Sequence, residues 1–228
     1  MNTIRSLSIV IPTHNNEATI SLVVNDALQV ASTLSRSFEI VVCNDGSVDR
    51  TGDIIRTLQK KHTRVRSVTH RQNQGYGQTI KELYYEAKNE WIFSVPGDYQ
   101  VLPEEMRKLL PFIDSADMIL GWRVERHDPE QRLMQSNVYN RLLRLLFSLG
   151  LHDVNSVRLM KTAMVKHIAL TSTSAFVDAE LAIQATKMGY HIQEVPIAHR
   201  KEEGKGSGGN LRTILPTIGD MMRTRFFL

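Results

Sequence analysis

Acidic and amide side chains follow three short apolar runs of this chain. Glu17 comes after SLSIVI (Ser6 to Ile11), Asp45 and Asp49 after FEIVVC (Phe38 to Cys43), and Asp98 with Gln100 after WIFSV (Trp91 to Val95). Carboxylates at strand ends can accept hydrogen bonds from a ribose or hold a hard divalent cation on a diphosphate. The glycines beside them, Gly46 and Gly97, let backbone amides come close to such a ligand. Asp45-Gly46-Ser47 also has a plainer reading as a tight turn that caps the next helix. The ordered recurrence of all three sites favours chemistry over three unrelated turns.

These groups meet only if the apolar runs are neighbours in one sheet. Between them, Ala18 to Ala31, Thr51 to Lys61 and Gly77 to Lys88 carry apolar residues at helical spacing, and Val65 to Thr69 is extended. The alternation predicts an α/β fold with a doubly wound, mostly parallel central sheet, whose ligands lie at the carboxyl ends of the strands. Past Pro103 the pattern predicts a short helix over EEMRKLLPFI and a strand over DMILG. A largely helical segment follows from Arg123 to Arg144, then a helix from Asp178 to Met188 and a strand over HIQEVPIAH. No long linker interrupts this elaborated second half, so residues 1–200 read as one domain. Residues 201–228 read as a flexible glycine-rich loop and an amphipathic helix that Pro216 kinks or interrupts.

The 228 residues carry 28 Lys+Arg against 24 Asp+Glu, a formal charge of +4, with 42% hydrophobic residues. That apolar fraction supports a packed core and excludes disorder. One cysteine, Cys43, excludes an internal disulfide and any cysteine-rich zinc cage, and reads as a core residue. No apolar stretch approaches the roughly 18 residues of a membrane span, and the N-terminus does not resemble a secretory signal. The histidines show no metal-ligand spacing.

The segments IVIPTHNNE, NDGSVDRT, NQGYGQTI, GDYQVLPEE and VDAELAIQA, in this order over residues 6–200, resemble inverting glycosyltransferases of family 2 with the GT-A (Rossmann-like) fold. Within that family the chain is most similar to the polyprenyl-phosphate hexosyltransferases. The resemblance implies that Pro12, Thr13, Glu17 and Asp45 line a nucleoside pocket. It further implies that Asp98, at the catalytic centre, and Gln100 hold a divalent metal (Mg²⁺ or Mn²⁺) on the diphosphate of a nucleotide-sugar donor. One departure stands out: the family writes Asp-x-Asp here, and this chain has Pro96-Gly97-Asp98. With one carboxylate gone, the metal is expected to arrive with the donor.

Arginines concentrate in the second half, and the resemblance places recognition of an acceptor phosphate on Arg123, Arg126, Arg132 and Asn137. The planar guanidinium fork suits phosphate oxygens, although salt bridges to Glu125, Asp128 and Glu130 would also account for these residues. An alcohol acceptor needs a general base, and Asp178 and Glu180 lie where family members with such acceptors carry one. A phosphate monoester is already anionic near pH 7 and needs only positioning. In the loop after His199, Arg200 could meet the diphosphate as the loop closes, or the loop could be a plain surface connection.

The last helix, with arginines flanking its apolar stripe, suits a membrane surface or a membrane-protein partner, or else simple packing on the core. The expected location is the cytoplasmic face of a membrane, peripherally bound. Nucleic acid is not an expected partner, since the basic residues cluster beside an acidic rim and aromatics make up only 7%. Two alternatives stay open: transfer to a hydroxyl acceptor, and a weakened protein that only binds nucleotide-sugars.

Overall fold

The computed structural model describes residues 4–126, 128–201 and 211–227. β1 (Ser6–Thr13) and β2 (Ser37–Asn44) are rich in β-branched residues and become fully buried toward their carboxyl ends. Central parallel strands, covered on both faces, need that composition. The two pair in parallel from Ser6↔Ser37 to Thr13↔Asn44. β3 (Val65–Thr69) extends the sheet beyond β2, and β4 (Trp91–Ser94) joins the other side of β1, both in parallel.

Three further strands complete the order β3-β2-β1-β4-β6-β5-β7: β5 (Met118–Arg123), β6 (Arg158–Lys161) and β7 (Ile192–Ile197). β6 runs antiparallel to both β4 and β5, while β7 lies parallel to β5 at the edge. The carboxyl ends of β1, β2, β4, β5 and β7 therefore share one rim.

Alternation along the strands splits the core in two. Ile9, Ile11, Ile40 and Val42 face α1 (Ile20–Leu34), α2 (Thr51–Lys61) and the short α4 (Met106–Leu109). Val10, Val41, Cys43 and Ile92 face the opposite layer. That layer comprises α3 (Tyr76–Glu86), α5 (Glu130–Phe147), α6 (Thr162–His167), α7 (Val177–Lys187) and part of α8 (Leu211–Phe227). Cys43 is a buried core residue, as its place in a strand predicts.

Several expectations need correction. β1 does not stop at Ile11 but continues through Pro12 to Thr13. β4 pairs with β1 only as far as Val10, so the missing Pro12 N–H costs no ladder bond on that side, and the Pro12 carbonyl accepts the Gly97 N–H at 3.1 Å. Arg123 belongs to a strand and not to the helix that follows, which begins at Glu130. β6 and α6 have no counterpart in the periodicity, because four and six residues are too short to establish one. α8 runs through Pro216 without interruption, near its amino end. The glycine-rich stretch at 202–210 lies outside the described residues.

α8 is not a free appendage. Met221 is buried in the second core, and the Asp220 carboxylate accepts the backbone N–H groups of Thr173 and Ser174 at 3.1 and 3.0 Å. That same 173–174 backbone presses on Gly77 in the first turn of α3, where an added Cβ would overlap the Ser174 and Thr173 carbonyl oxygens. Gly77→Ala is therefore expected to lower stability by about 1–3 kcal/mol, the cost of overpacking against backbone that cannot move aside. Urea unfolding checks this, and an unchanged midpoint would contradict it.

Candidate active site

The loops after β1, β2 and β4 are laced into one platform. The Thr13 carbonyl accepts the Asp45 N–H at 2.9 Å, and the Thr19 hydroxyl donates to the Gly97 carbonyl at 2.7 Å. Gly97 sits so close to Thr13 that a Cβ would lie 2.8 Å from its hydroxyl. Between the first two loops, the Glu17 N–H donates to Asp49 at 3.1 Å, and the Glu17 carboxylate receives the Arg50 N–H and guanidinium at the same distance. Pro12, Thr13, Glu17 and Asp45 are thus brought together, with Glu17 and Asp49 acting as cross-braces between loops.

Asp45 is buried and accepts from three donors. Oδ1 receives the Gln74 N–H at 2.8 Å and faces the His70 ring at 2.7 Å, while Oδ2 receives the Gly75 N–H at 2.9 Å. Burial disfavours its charge, but the backbone hydrogen bond from Gln74 and the bond to His70 outweigh that, so its pKa lies below the usual carboxylate range. Gly46 follows with φ +62°, and any side chain there would collide with the backbone of Gln72 and Asn73. The Asp-Gly pair therefore both turns the chain and lets the β3–α3 loop close over it.

At the end of β4, Asp98 Oδ1 accepts the Gln100 N–H at 3.0 Å across Tyr99, whose φ of 64° is a strained conformation for a non-glycine residue. The Gln100 carbonyl accepts the Arg200 N–H at 2.7 Å, and the Arg200 guanidinium lies 5.0 Å from the centre of the Tyr99 ring. Asp98, Gln100 and Arg200 therefore gather in one place. Their oxygens, a carboxylate and an amide, are the hard donors that Mg²⁺ or Mn²⁺ prefers, and they are too few to hold the ion without phosphate oxygens.

The arginines divide into two groups. Arg123 forms a fork with Asp153 at 2.6 and 2.9 Å. Arg126 pairs with Asp128 at 2.8 Å, and Arg132 reaches the same carboxylate at 3.4 Å. Among the described residues their acidic partners are Asp128 and Asp153, not Glu125 or Glu130. Burial works against the charge of Arg123, but Asp153 and, further off, Asp128 and Asp98 more than compensate and raise its pKa. His199 closes the cluster, with its pKa pushed down to about 4 by burial and by the positive charge of Arg123, and is neutral at pH 7.

Asn137 does not join that group. It lines a separate groove with Val138, Arg141, Arg144, Trp122 and His152, in which the Trp122 and His152 rings stack 4.5 Å apart. Arg141 and Arg144 are exposed along this groove. Their spacing among leucines hid this, because Leu143 alone of that helix is buried.

Asp178 and Glu180 both point inward, so neither is placed to act as a general base. Asp178 is fully buried, paired with the equally buried Arg158 at 2.7 Å and hydrogen-bonded by the Tyr76 and Tyr84 hydroxyls at 2.6 and 3.1 Å. Withdrawing it would strand a buried guanidinium, a loss of about 3–5 kcal/mol. Glu180 accepts the N–H groups of Thr171 and Ser172 at 2.9 and 2.8 Å and the Thr171 hydroxyl at 2.7 Å.

Comparison with known proteins bears on the fold and the family. The chain is 25% identical over 217 residues to an undecaprenyl-phosphate 4-deoxy-4-formamido-L-arabinose transferase of Edwardsiella ictaluri, covering 93% of this chain and 66% of that protein. It thus spans just under two thirds of that relative's length. It is 27% identical to a dolichyl-phosphate hexose transferase of Haloferax volcanii, covering 89% of this chain and 86% of the relative. Among solved structures, glucosyl-3-phosphoglycerate synthase from Mycobacterium tuberculosis with phosphoglyceric acid superposes with a TM-score of 0.79 at 17% identity, over 98% of this chain and 81% of the other. The same enzyme with Mn²⁺, UDP and phosphoglyceric acid gives 0.75 at 16% identity, over 97% and 78%. These likenesses establish the GT-A fold. The family model for glycosyl transferase family 2 matches residues 8–171, and the chain belongs to that family.

Proposed function

We propose that the protein is an inverting glycosyltransferase that moves a hexose from a nucleotide-sugar, of the GDP-mannose or UDP-glucose class, to a polyprenyl phosphate at the cytoplasmic face of a membrane. The observation that carries this reading is that β7 sets Ile197 beside Arg123 and, three residues on, joins Arg200 to the Gln100 carbonyl, so the arginine group and the Asp98–Gln100 turn are neighbours. The two relatives above, named for undecaprenyl-phosphate and dolichyl-phosphate substrates, support the lipid class.

In this reading Pro12, Thr13, Glu17 and Asp45 form the nucleoside pocket, and Asp98 and Gln100 would hold Mg²⁺ or Mn²⁺ on the diphosphate. The ion, when bound, supplies positive charge to the leaving diphosphate. Arg200 adds a cation on the same side. The acceptor phosphate is positioned by Arg123, Arg126 and Arg132, whose present partners Asp128 and Asp153 keep them oriented. A phosphate oxygen attacks the anomeric carbon as the bond to the nucleoside diphosphate breaks on the opposite face. No proton has to be removed, which accords with the inward commitment of Asp178 and Glu180 and disfavours a hydroxyl acceptor.

Residues 1–200 form the transferase unit and α8 its docking element. On α8, Leu215, Ile218, Met222 and Phe226 lie exposed on one face, with Leu215 66% and Phe226 73% accessible. Asp220, Met221 and Thr224 are buried on the opposite face. Arg223 and Arg225 flank the apolar stripe, as an anionic interface favours. Met134, Val138 and Leu145 make a second exposed apolar row on α5. Among the described residues no helix is long and apolar enough to cross a membrane.

Two experiments test this. Radiolabelled nucleotide-sugars incubated with the protein, Mn²⁺ and polyprenyl phosphate should yield a lipid-extractable labelled product, reduced about 10²-fold or more by Asp98→Asn, as expected for loss of a group that organises transition-state charge. Absence of product from every common donor, with nucleotide binding intact, would favour the binding-protein alternative. In vesicle flotation, anionic vesicles should retain the wild type, and the double change Ile218→Glu and Phe226→Glu should release it by roughly tenfold or more through loss of buried apolar area. Equal retention would contradict the α8 assignment.

A further inference from the structure

His70 follows β3 directly and is buried beneath the loop that carries Asp45. Both ring nitrogens face carboxylates: Nδ1 lies 2.7 Å from Asp45 Oδ1, and Nε2 lies 2.8 Å from Glu82 Oε2 on α3. A neutral imidazole carries one N–H and one lone pair, and an ionised carboxylate only accepts. A neutral ring would therefore set its lone pair against one of the two acids, whereas an imidazolium donates to both. The remaining neighbour, Cys43, has Sγ 3.6 Å from Nε2. Its pKa is pushed up to about 12 by burial and then by the charges of Glu82 and Asp45, so it stays a neutral thiol. His14 touches Asp45 only through the backbone carbonyl, at 2.7 Å. Burial opposes the charge on His70, and the hydrogen bonds to Asp45 and Glu82 outweigh it, raising its pKa above the usual value.

We propose that His70 is a positioning residue, an imidazolium clamped between Asp45 and Glu82 that fixes the Asp45 carboxylate for the donor nucleoside. The proposal rests on the reading of Asp45 as a donor-pocket residue. The sign follows from the charge: the clamp is complete at lower pH and is lost as pH rises past the point where the ring deprotonates. Cys43, His70 and Glu82 also form a donor set that zinc accepts, with Asp45 behind the histidine. The 2.8 Å Nε2–Oε2 separation argues for the proton instead. Two ligands at ordinary zinc distances in tetrahedral geometry would stand about 3.3 Å apart.

Binding of UDP and of GDP, each with Mn²⁺, is measured on the full chain by calorimetry between pH 6.5 and 9.5, together with ring ¹⁵N shifts of His70. The expected result for the nucleotide that binds is an affinity that falls about tenfold through one alkaline step, the scale of one charge-assisted hydrogen bond. Both ring nitrogens should be protonated at pH 7. Glu82→Gln should move the step to lower pH. His70→Gln, verified as folded by its thermal melt, should bind about tenfold more weakly at pH 7 and show no step. A neutral ring at pH 7, an unmoved step in Glu82→Gln, or one equivalent of bound zinc would overturn the proposal. Asp45→Asn separates the two readings. If it leaves nucleotide binding unchanged, the donor pocket is misplaced, and the ring shifts still decide the state of His70. If it weakens binding while His70→Gln does not, the clamp alone fails.

Discussion

The candidate site depends on the Asp45 carboxylate, which must stay ionised while buried. A buried charge is tolerable only when hydrogen bonds replace the water it has lost. Here the replacements come from the Gln74 and Gly75 amides and from His70. Meeting that requirement pulls the start of α3 onto the end of β2, and the Asp45 N–H holds the end of β1 through the Thr13 carbonyl. Gly46 follows from the same demand, since the loop that supplies the amides passes where a side chain would stand. One acid thus joins three elements and leaves the rim open toward the end of β4.

Across that rim the charge changes sign. Asp98 follows β4, and Arg123, Arg126 and Arg132 follow or end β5, each steadied by Asp153 or Asp128. Oriented pairs of this kind keep guanidinium groups in place before any ligand arrives, which limits the ordering cost of binding an anion. The formal charge of +4 alone does not reveal this local pairing of acids and arginines. The exposed apolar rows on α5 and α8 add the surface at which a lipid substrate would be met.

Much of this was legible in the sequence, for identifiable reasons. Buried parallel strands write themselves as continuous β-branched runs, so β1, β2 and the alternation with helices could be read, and so could the strand-end acids. Arg123 and Asp178 were harder. Their chemistry is decided by Asp153 and Arg158, partners 30 and 20 residues away that no local pattern links to them. β6, which brings Arg158 under α7, is only four residues long and left no periodic trace. His70 looked like one of several scattered histidines because its two acids precede and follow it by 25 and 12 residues. The groove lined by Arg141 and Arg144 was hidden by neighbouring leucines that divide between core and surface, Leu143 being buried and Leu145 exposed.

The central claim is that the acceptor brings its own negative charge and needs no base. The most direct measurement compares polyprenyl phosphate with the corresponding free polyprenol as acceptor, using one productive nucleotide-sugar and matched lipid concentration. A glycolipid product is expected from the phosphate and none from the alcohol. Comparable product from the alcohol would contradict it, because a side chain would then have to take the hydroxyl proton.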